Sequence, residues 1–394
     1  MTATRILLTD TASGTWQERF GVRASDDLRL SGSEDWSVRK ETLRGGVSDG
    51  VDVVTIDNGR LAVAVLPTRG MGVWDAVYHG LRAGWNSPAA RPVHPAFVPV
   101  DHPNGLGWLR GFGELICRCG LTSNGAPGPD PGGNPIESPL PLHGRIANLP
   151  AHRVELILDD EEPGTIALVG TVDETSLFGS NLRLTSSLST VAGSNDFVIR
   201  DVVTNRSAGI AESQLLYHIN VGPPFLEDGS RFVVPATEIA PRDARAADGL
   251  ENWDVCGPPT VGYAEQVYFV RPVSNERGES FVLLRNAAGD KGLSVHYQTG
   301  RLPCLSLWKN TAAEADGYVA GLEPGTNYPN HRSFERTQNR VVRLGPGESY
   351  ETRVRLVFHD HLENVAALEA IAAGMTDARP PTVHPTPGSG LSPA

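Results

Sequence analysis

The chain has 394 residues and a formal net charge of −12, and 40% of its residues are apolar while 20% are charged. This composition is ordinary for a globular protein, and a chain of this length can bury a large core. The acidic balance argues against nucleic acid or an anionic membrane as a partner, because both attract basic surfaces. The 43 Gly and 30 Pro favour many short elements joined by tight turns.

Signals for export, membrane insertion and zinc binding are not recognisable in the sequence. The first residues contain no long apolar core of a signal peptide, and no apolar run reaches the roughly 18 residues that span a bilayer. Cys117 and Cys119 are too close for a zinc-type pair, and Cys256 and Cys304 stand alone. We therefore expect a cytoplasmic protein whose four cysteines are reduced core residues.

The N-terminal part of the chain changes character twice. Residues 1–50 are mixed and polar, and we expect an N-terminal extension that packs on the main domain. From Val51 two β-rich runs flank Asp57-Asn58-Gly59, which predicts a hairpin. Residues 84–142 are rich in Gly, Pro and Asn and lack regular periodicity. Long irregular loops in compact domains are usually functional, so we expect part of a ligand site there.

From Ala151 onward, short strand-like runs follow one another. Residues 153–158 alternate polar and apolar side chains, which is typical of antiparallel sheet with one solvated face. Residues 361–375 carry Ala and Leu at helical spacing and predict a helix. The predicted organisation is one all-β domain over residues 1–378, followed by a disordered Pro/Ser-rich tail over 379–394.

Three polar residues stand out among these runs. His143 follows the irregular region in Pro-Leu-His-Gly, His218 ends a strand in Leu-Leu-Tyr-His-Ile-Asn, and Glu323 lies in Gly-Leu-Glu-Pro. Taken singly, each has an ordinary structural explanation. A lone His in a β protein is most often a structural hydrogen-bonding residue, and a Glu before Pro is most often a turn residue.

Taken in order, with their flanks, these residues resemble the aldose 1-epimerase (galactose mutarotase) family. The family's first His lies in a His-Gly motif, as His143-Gly144 does here. Its second His follows a strand and precedes an Asn, as His218 precedes Asn220. Its Leu-Glu motif leads into a turn rich in Pro and Asx, as residues 322–324 lead into 327–330.

The resemblance covers about residues 51–358 and implies a β-supersandwich that is mostly antiparallel, with few short helices. It also implies a mechanism without a cofactor, in which Glu323 takes the proton of the anomeric hydroxyl. His218 would protonate the ring oxygen from the opposite side of the sugar, and His143 would bind the ring oxygen or a neighbouring hydroxyl. This chain departs from the family where close members have His-Thr-Tyr-Phe-Asn, which points to a divergent branch.

Further side chains near these motifs are expected to contact the sugar. Arginines could donate to hydroxyls or to a charged substituent, with a structural ion pair as the alternative, and a tryptophan could stack on the apolar face of the ring. The predicted substrate-binding residues are Arg69, Arg110, Trp308, Asn220, Asn327 and His331.

The sequence leaves three functions open. The first is an aldose mutarotase acting on a small-molecule sugar. The second is a keto-sugar isomerase or epimerase working through an enolate, in which two His and a carboxylate could hold a divalent metal. The third is a sugar-binding protein without catalysis. We expect a monomer or homodimer that binds neither nucleic acid nor membrane.

Overall fold

The computed structural model describes residues 3–25, 30–31 and 35–393. Its strands are β1 (Thr4–Asp10), β2 (Thr15–Trp16), β3 (Arg19–Arg23), β4 (Ser37–Thr42), β5 (Asp52–Asp57), β6 (Leu61–Leu66), β7 (Gly72–Tyr78), β8 (Leu81–Ala83), β9 (Ile116–Cys119), β10 (Arg153–Asp159), β11 (Thr165–Thr175), β12 (Asn181–Val191), β13 (Asp196–Asn205), β14 (Ala211–Ser213), β15 (Leu216–Val221), β16 (Arg231–Val233), β17 (Ala236–Pro241), β18 (Gln266–Pro272), β19 (Glu279–Arg285), β20 (Gly292–Gln298), β21 (Cys304–Asn310), β22 (Val319–Gly325), β23 (Val342–Leu344), β24 (Ser349–His359) and β25 (Thr382–Val383). The α-helices are α1 (Ala244–Ala247), α2 (Arg332–Thr337) and α3 (Leu362–Met375). Short 3-10 helices span Gly46–Ser48, Pro95–Phe97, Gly107–Gly111, Pro135–Glu137, Ile146–Asn148, Leu250–Asn252 and Glu314–Asp316.

Two large sheets contain nearly all of these strands. In the part of the chain that the structure describes, sheet I has the order β16-β19-β20-β24-β13-β12-β11-β10-β1-β2. Sheet II has the order β25-β17-β18-β21-β22-β15-β9-β7-β6-β5-β4-β3, with β8 paired to β7, and β14 pairs with β23. The strand pairs are antiparallel except for β17 with β25. The predicted all-β, mostly antiparallel fold with few short helices is confirmed.

The main hydrophobic core joins the inner faces of the two sheets. In β11 of sheet I every second residue is buried, as alternating side chains require when one face meets a core. Leu168 and Leu184 of sheet I belong to the same buried cluster as Val63 and Ile219 of sheet II. The predicted hairpin at residues 57–59 joins β5 to β6, and the predicted helix is α3.

The outer face of sheet II is covered by the irregular region of the chain. Trp85, Trp108 and Phe112 pack there with Leu216 of β15 and Val319 of β22 in a second buried cluster. This segment contains short 3-10 helices and β9, but few other regular elements. The irregular region is therefore a packed cover over the middle of sheet II.

Both ends of the chain differ from the sequence-based expectation. The first fifty residues supply β1 and β2 to sheet I and β3 and β4 to sheet II, so the segment is part of both sheets. The tail, predicted to be disordered, instead adds β25 to the edge of sheet II. Leu391 is 1% exposed, and its carbonyl accepts a hydrogen bond from the Asn330 amide at 2.8 Å. One buried leucine and an edge strand anchor a segment whose composition alone suggested disorder.

Two further observations concern the cysteines and the helices. All four cysteines are buried and free of disulfides, in agreement with their interpretation as reduced core residues. Among the helices that the structure describes, none is long and apolar enough to cross a membrane.

Candidate active site

Strand β15 carries His218 in the middle of sheet II, between β9 and β22. Successive side chains of a strand point to opposite faces, so Tyr217 and Ile219 enter the main core while His218 faces the cover. The antiparallel register pairs Ile219 with Leu322, which sets His218 opposite Glu323. Two residues far apart in the chain thereby become neighbours across a strand pair.

His218 and Glu323 are in direct contact. Nε2 of His218 lies 3.4 Å from Oε1 of Glu323, and the two residues are only 5% and 3% exposed. Oε1 of Glu323 is enclosed and has no hydrogen-bond partner. Such an atom costs about 1–3 kcal/mol of stability, so a purely structural role does not explain it. No sugar ring fits between the two groups at this distance, which differs from the expectation that they flank the sugar from opposite sides.

His143 reaches the same place from the cover. The φ angles of 56° at His143 and 73° at Gly144 turn the chain sharply. A Cβ at Gly144 would lie 2.0 Å from the carbonyl oxygen of Ser123, so the His-Gly motif has a steric reason. Nδ1 of His143 lies 2.8 Å from the carbonyl oxygen of Asn124, and its ring centroid is 5.4 Å from that of His218. The structure thus brings the three predicted catalytic residues together.

Burial shifts the pKa of all three groups toward their uncharged forms. Removal from water lowers the pKa of His143 from 6.5 to about 4, although the hydrogen bond to Asn124 acts in the opposite direction. Burial also lowers the pKa of His218 well below 6.5 and raises the pKa of Glu323 well above 4.5. Both shifts favour an uncharged pair, in which Glu323 holds a proton and His218 is neutral.

Aromatic rings enclose the histidines. The ring centroid of Trp108 lies 4.6 Å from that of His143, and those of Phe112 and Trp308 lie 4.9 and 5.2 Å from that of His218. Nε1 of Trp108 is buried without a hydrogen-bond partner, whereas Trp308 and His143 are partly exposed. The arrangement is a buried polar floor with an aromatic rim, a form that suits the apolar face of a sugar.

Arg69, predicted to bind substrate, makes its contacts within the protein. Its side chain is 1% exposed and pairs with the carboxylate of Glu114. It also donates to Oδ1 of Asn148 and to the carbonyl oxygens of Val93 and Gly111, each at 2.9 Å. These contacts favour the structural ion pair over the predicted sugar contact, because the guanidinium is buried among protein acceptors.

The two predicted asparagines also bind protein groups. Asn220 is 0% exposed; its Oδ1 lies 2.6 Å from Nδ1 of His218, and its amide nitrogen donates to the carbonyl oxygen of Glu114. The amides of Asn327 and Asn124 donate to each other at 2.8 and 3.0 Å. Burial prevents either predicted residue from touching a sugar in this arrangement. Asn220 holds His218, and Asn327 holds the loop whose carbonyl binds His143.

The remaining predicted contacts have different surroundings. Arg110 is exposed in the 3-10 helix Gly107–Gly111. His331 caps α2 by accepting from the backbone N–H of Ser333 at 3.2 Å, and its Nε2 is enclosed without a partner. Trp308 is the member of this trio whose ring contacts His218.

An ion pair at the aromatic rim was not predicted from the sequence. Arg242 and Glu265 approach to 3.0 Å, and Glu265 accepts a hydrogen bond from Nε1 of Trp308 at 2.7 Å. The Glu265 carboxylate raises the pKa of Glu323 and the Arg242 guanidinium lowers it, both less than burial does. The two residues lie outside any recognisable motif, so no local signal pointed to them. Phe112 was also missed, because one phenylalanine in an irregular segment carries no sequence signal for a ligand site.

Among the described residues, no group of three or more His, Cys, Asp or Glu is arranged to hold a metal ion. The expectation that the reaction needs no cofactor stays a prediction.

Comparison with known proteins places this geometry in a family. A crystal structure from Klebsiella pneumoniae, called a "putative aldose 1-epimerase", is 35% identical, covers 98% of this chain and 99% of its own, and has a TM-score of 0.93. A galactose mutarotase-like protein from Clostridium acetobutylicum is 14% identical over 83% of this chain and 100% of its own, with a TM-score of 0.56. A galactose 1-epimerase from Lactobacillus acidophilus is 15% identical over 82% and 99%, with a TM-score of 0.52. The last two similarities concern the fold alone.

These similarities confirm the predicted galactose mutarotase-like β-supersandwich. No curated protein matches the sequence of this chain. The family model described as a domain of unknown function, DUF4432, matches residues 48–357, and the chain belongs to that family.

Proposed function

We propose that this protein is a carbohydrate isomerase that interconverts the anomers of an aldose by acid–base catalysis. The observation that carries the proposal is the buried contact between His218 and Glu323, 3.4 Å apart and beside His143. Two groups that share a proton can donate one and accept one in the same step. The name of the Klebsiella relative supports the same class of reaction.

Ring opening requires proton transfer at two oxygens. The step begins once the proton held by the pair has moved from Glu323 to Nε2 of His218. The anomeric hydroxyl then gives its proton to the Glu323 carboxylate as the bond between C1 and the ring oxygen breaks. The ring oxygen takes a proton from the protonated Nε2 of His218. The products are the open-chain aldehyde, a protonated Glu323 and a neutral His218. Rotation about C1–C2 presents the other face, and reclosure returns both protons, so the cycle balances without another reactant.

The contact between acid and base suits a one-sided mechanism. The anomeric and ring oxygens are bonded to the same carbon, so adjacent groups can reach both from one edge of the hemiacetal. Proton transfer needs heavy-atom distances of roughly 2.6–3.2 Å, so the mechanism requires the sugar to reach the pair through the rim, where Trp308 and His143 are partly exposed. Both residues then act without the opposite-side placement expected from the family resemblance.

His143 is suited to accept a hydrogen bond from a substrate hydroxyl. The carbonyl oxygen of Asn124 can only accept, so Nδ1 of His143 is the donor in their 2.8 Å contact. Because burial keeps this ring neutral, Nε2 carries no hydrogen. A ring oxygen has no hydrogen to donate, so the geometry favours a neighbouring hydroxyl as the partner of His143.

Exchange NMR on a panel of aldoses, run in deuterated buffer, tests the proposal. Accelerated exchange between anomer signals, with no deuterium at carbon, is the expected result. Deuterium that enters a carbon position would instead indicate the enolate chemistry of a keto-sugar isomerase. Binding of a sugar without either exchange would indicate a binding protein and would contradict the proposal.

A further inference from the structure

The orientation of the Asn220 side chain is fixed by its neighbours. Its terminal amide is 2.9 Å from the carbonyl oxygen of Glu114 and 3.0 Å from that of His218. Carbonyl oxygens only accept hydrogen bonds, so the atom that faces them is the amide nitrogen. Oδ1 must therefore be the atom that lies 2.6 Å from Nδ1 of His218.

This orientation determines the tautomer of His218. Oδ1 of Asn220 has no hydrogen, so Nδ1 of His218 has to be the donor. A neutral imidazole carries one N–H, which leaves Nε2 without a hydrogen. Nε2 is also the atom that faces Oε1 of Glu323 at 3.4 Å. The mobile proton of the pair can therefore enter the ring at only one place.

We propose that Asn220 is a positioning residue that locks His218 in the Nδ1–H form and thereby makes Nε2 the proton-exchanging atom of the pair. This inference rests on the proposed function for the purpose of the proton, but the locked tautomer is a separate property. With the other neutral tautomer, Nε2 would already carry a hydrogen. It would then donate to Glu323 and could not take a proton from it.

The surroundings of Asn220 make it a rigid support. Its backbone N–H donates to the carbonyl oxygen of Leu115 at 2.7 Å. The carbonyl oxygen of Glu114 also accepts from Nε1 of Trp85 at 3.2 Å, and the Glu114 side chain is held by the buried Arg69. A run of contacts from Arg69 through Glu114 and Asn220 thus fixes the ring of His218. Secondary contacts of this kind commonly set the orientation and tautomer of functional histidines.

Long-range ¹H–¹⁵N NMR of the histidine rings tests the locked tautomer directly. In the wild type at neutral pH, His218 is expected to carry its proton on Nδ1. Asn220→Leu removes the acceptor, so the signal should shift toward the Nε2–H form. Asn220→Asp keeps an acceptor and adds a negative charge, so Nδ1–H should persist while the titration of His218 moves to higher pH. Asn58→Asp is the matched control, because Asn58 is equally buried but contacts Thr190, Val191 and Ser194 instead.

Anomer exchange measured on the same proteins separates this inference from the proposed function. Asn220→Leu should slow exchange by roughly 10- to 100-fold, and Asn220→Asp should move the pH profile toward higher pH, while Asn58→Asp moves neither. A wild-type His218 with its proton on Nε2 would overturn the inference. So would an Asn220→Leu protein that keeps the wild-type tautomer and rate. A locked Nδ1–H form without anomer exchange on any aldose would overturn the proposed function alone.

Discussion

Tyr217 and His218 are neighbours on β15, yet they meet polar surroundings of opposite kinds. Tyr217 points into the main core, where its hydroxyl donates to Asp201 at 2.9 Å. Arg118 binds both carboxylate oxygens of Asp201, at 2.6 and 3.2 Å, and both side chains are wholly buried. His218 points to the other face and meets Glu323 without forming a hydrogen bond with it.

The difference separates a structural polar network on one face of β15 from a candidate catalytic pair on the other. Buried polar groups that satisfy one another tie two sheets together and have no capacity left for a ligand. A buried carboxylate with an unpartnered oxygen destabilises the fold, and such sites are where function is expected. The degree of hydrogen-bond satisfaction, rather than burial or charge, therefore distinguishes the two faces of β15.

The largest expected effect is on the rate of anomer exchange, from a mutation on the face of β15 where Glu323 has an unpartnered oxygen. Glu323→Gln removes the proton acceptor while keeping the shape of the side chain, so anomer exchange should fall by roughly 10² to 10⁴-fold with sugar binding largely kept. Exchange NMR measures the rate, and ligand-observed NMR measures binding. A variant that exchanges anomers at the wild-type rate would refute the assignment of Glu323 as the base.

On the main-core face of β15, where the buried polar groups satisfy one another, a mutation should lower the free energy of unfolding. Asp201→Asn leaves the Arg118 cation buried without a counter-charge, which costs about 3–5 kcal/mol in comparable cases. Urea denaturation should show this loss in the free energy of unfolding, and the exchange rate of the folded fraction should stay at the wild-type value. Unchanged stability would mean that the network is not the support described above.

Glu174 offers a closer comparison, since burial raises the pKa of this carboxyl as it does for Glu323. Glu174 accepts from the backbone N–H of Leu121 at 2.8 Å and from the Thr122 hydroxyl at 2.7 Å. Glu174→Gln should therefore reduce the free energy of unfolding by about 1–3 kcal/mol and leave exchange intact. Loss of exchange without loss of stability would reverse the expected pattern.

A smaller effect is expected from pH, because the protonation of His143 contributes to the free energy of unfolding. Its pKa is about 4 in the folded protein against an ordinary 6.5, so the unfolded chain binds the proton more readily. The contribution of His143 to the free energy of unfolding is therefore greatest above pH 6.5 and falls as the pH drops toward 4. At pH 5 the loss is about 2 kcal/mol at most. Urea unfolding at pH 7 and pH 5 should show a smaller difference in His143→Gln than in the wild type.

His296→Gln supplies a control for that measurement. The pKa of His296 is also lowered to about 4 by burial, but its Nε2 contacts Ser294 in sheet I. It should reduce the pH dependence of stability to a similar degree while leaving anomer exchange unchanged. Slower anomer exchange in His296→Gln would show that the two histidines are not distinguished by their place in the fold.

Local sequence patterns predicted an all-β, mostly antiparallel domain, and the three polar residues were recognised from their resemblance to the aldose 1-epimerase family. Alternation at residues 153–158 predicted the half-buried strand β10, the Asp57-Asn58-Gly59 turn predicted a hairpin, and helical spacing predicted α3. The His-Gly motif at His143 was recognised from the family resemblance, and the structure adds its physical reason, a left-handed turn that favours glycine. These features depend on a few neighbouring residues, so they are visible in one chain.

Contacts between distant segments could not be predicted from local sequence patterns. The register of β15 on β22 places His218 against Glu323. The carbonyl oxygen of Glu114 orients the Asn220 amide so that its Oδ1 faces His218. Burial converted Arg69 from a predicted sugar ligand into a structural ion pair. Periodicity determines which face a side chain occupies, but strand pairing and loop packing determine what it meets there, and those depend on the folding of the whole chain.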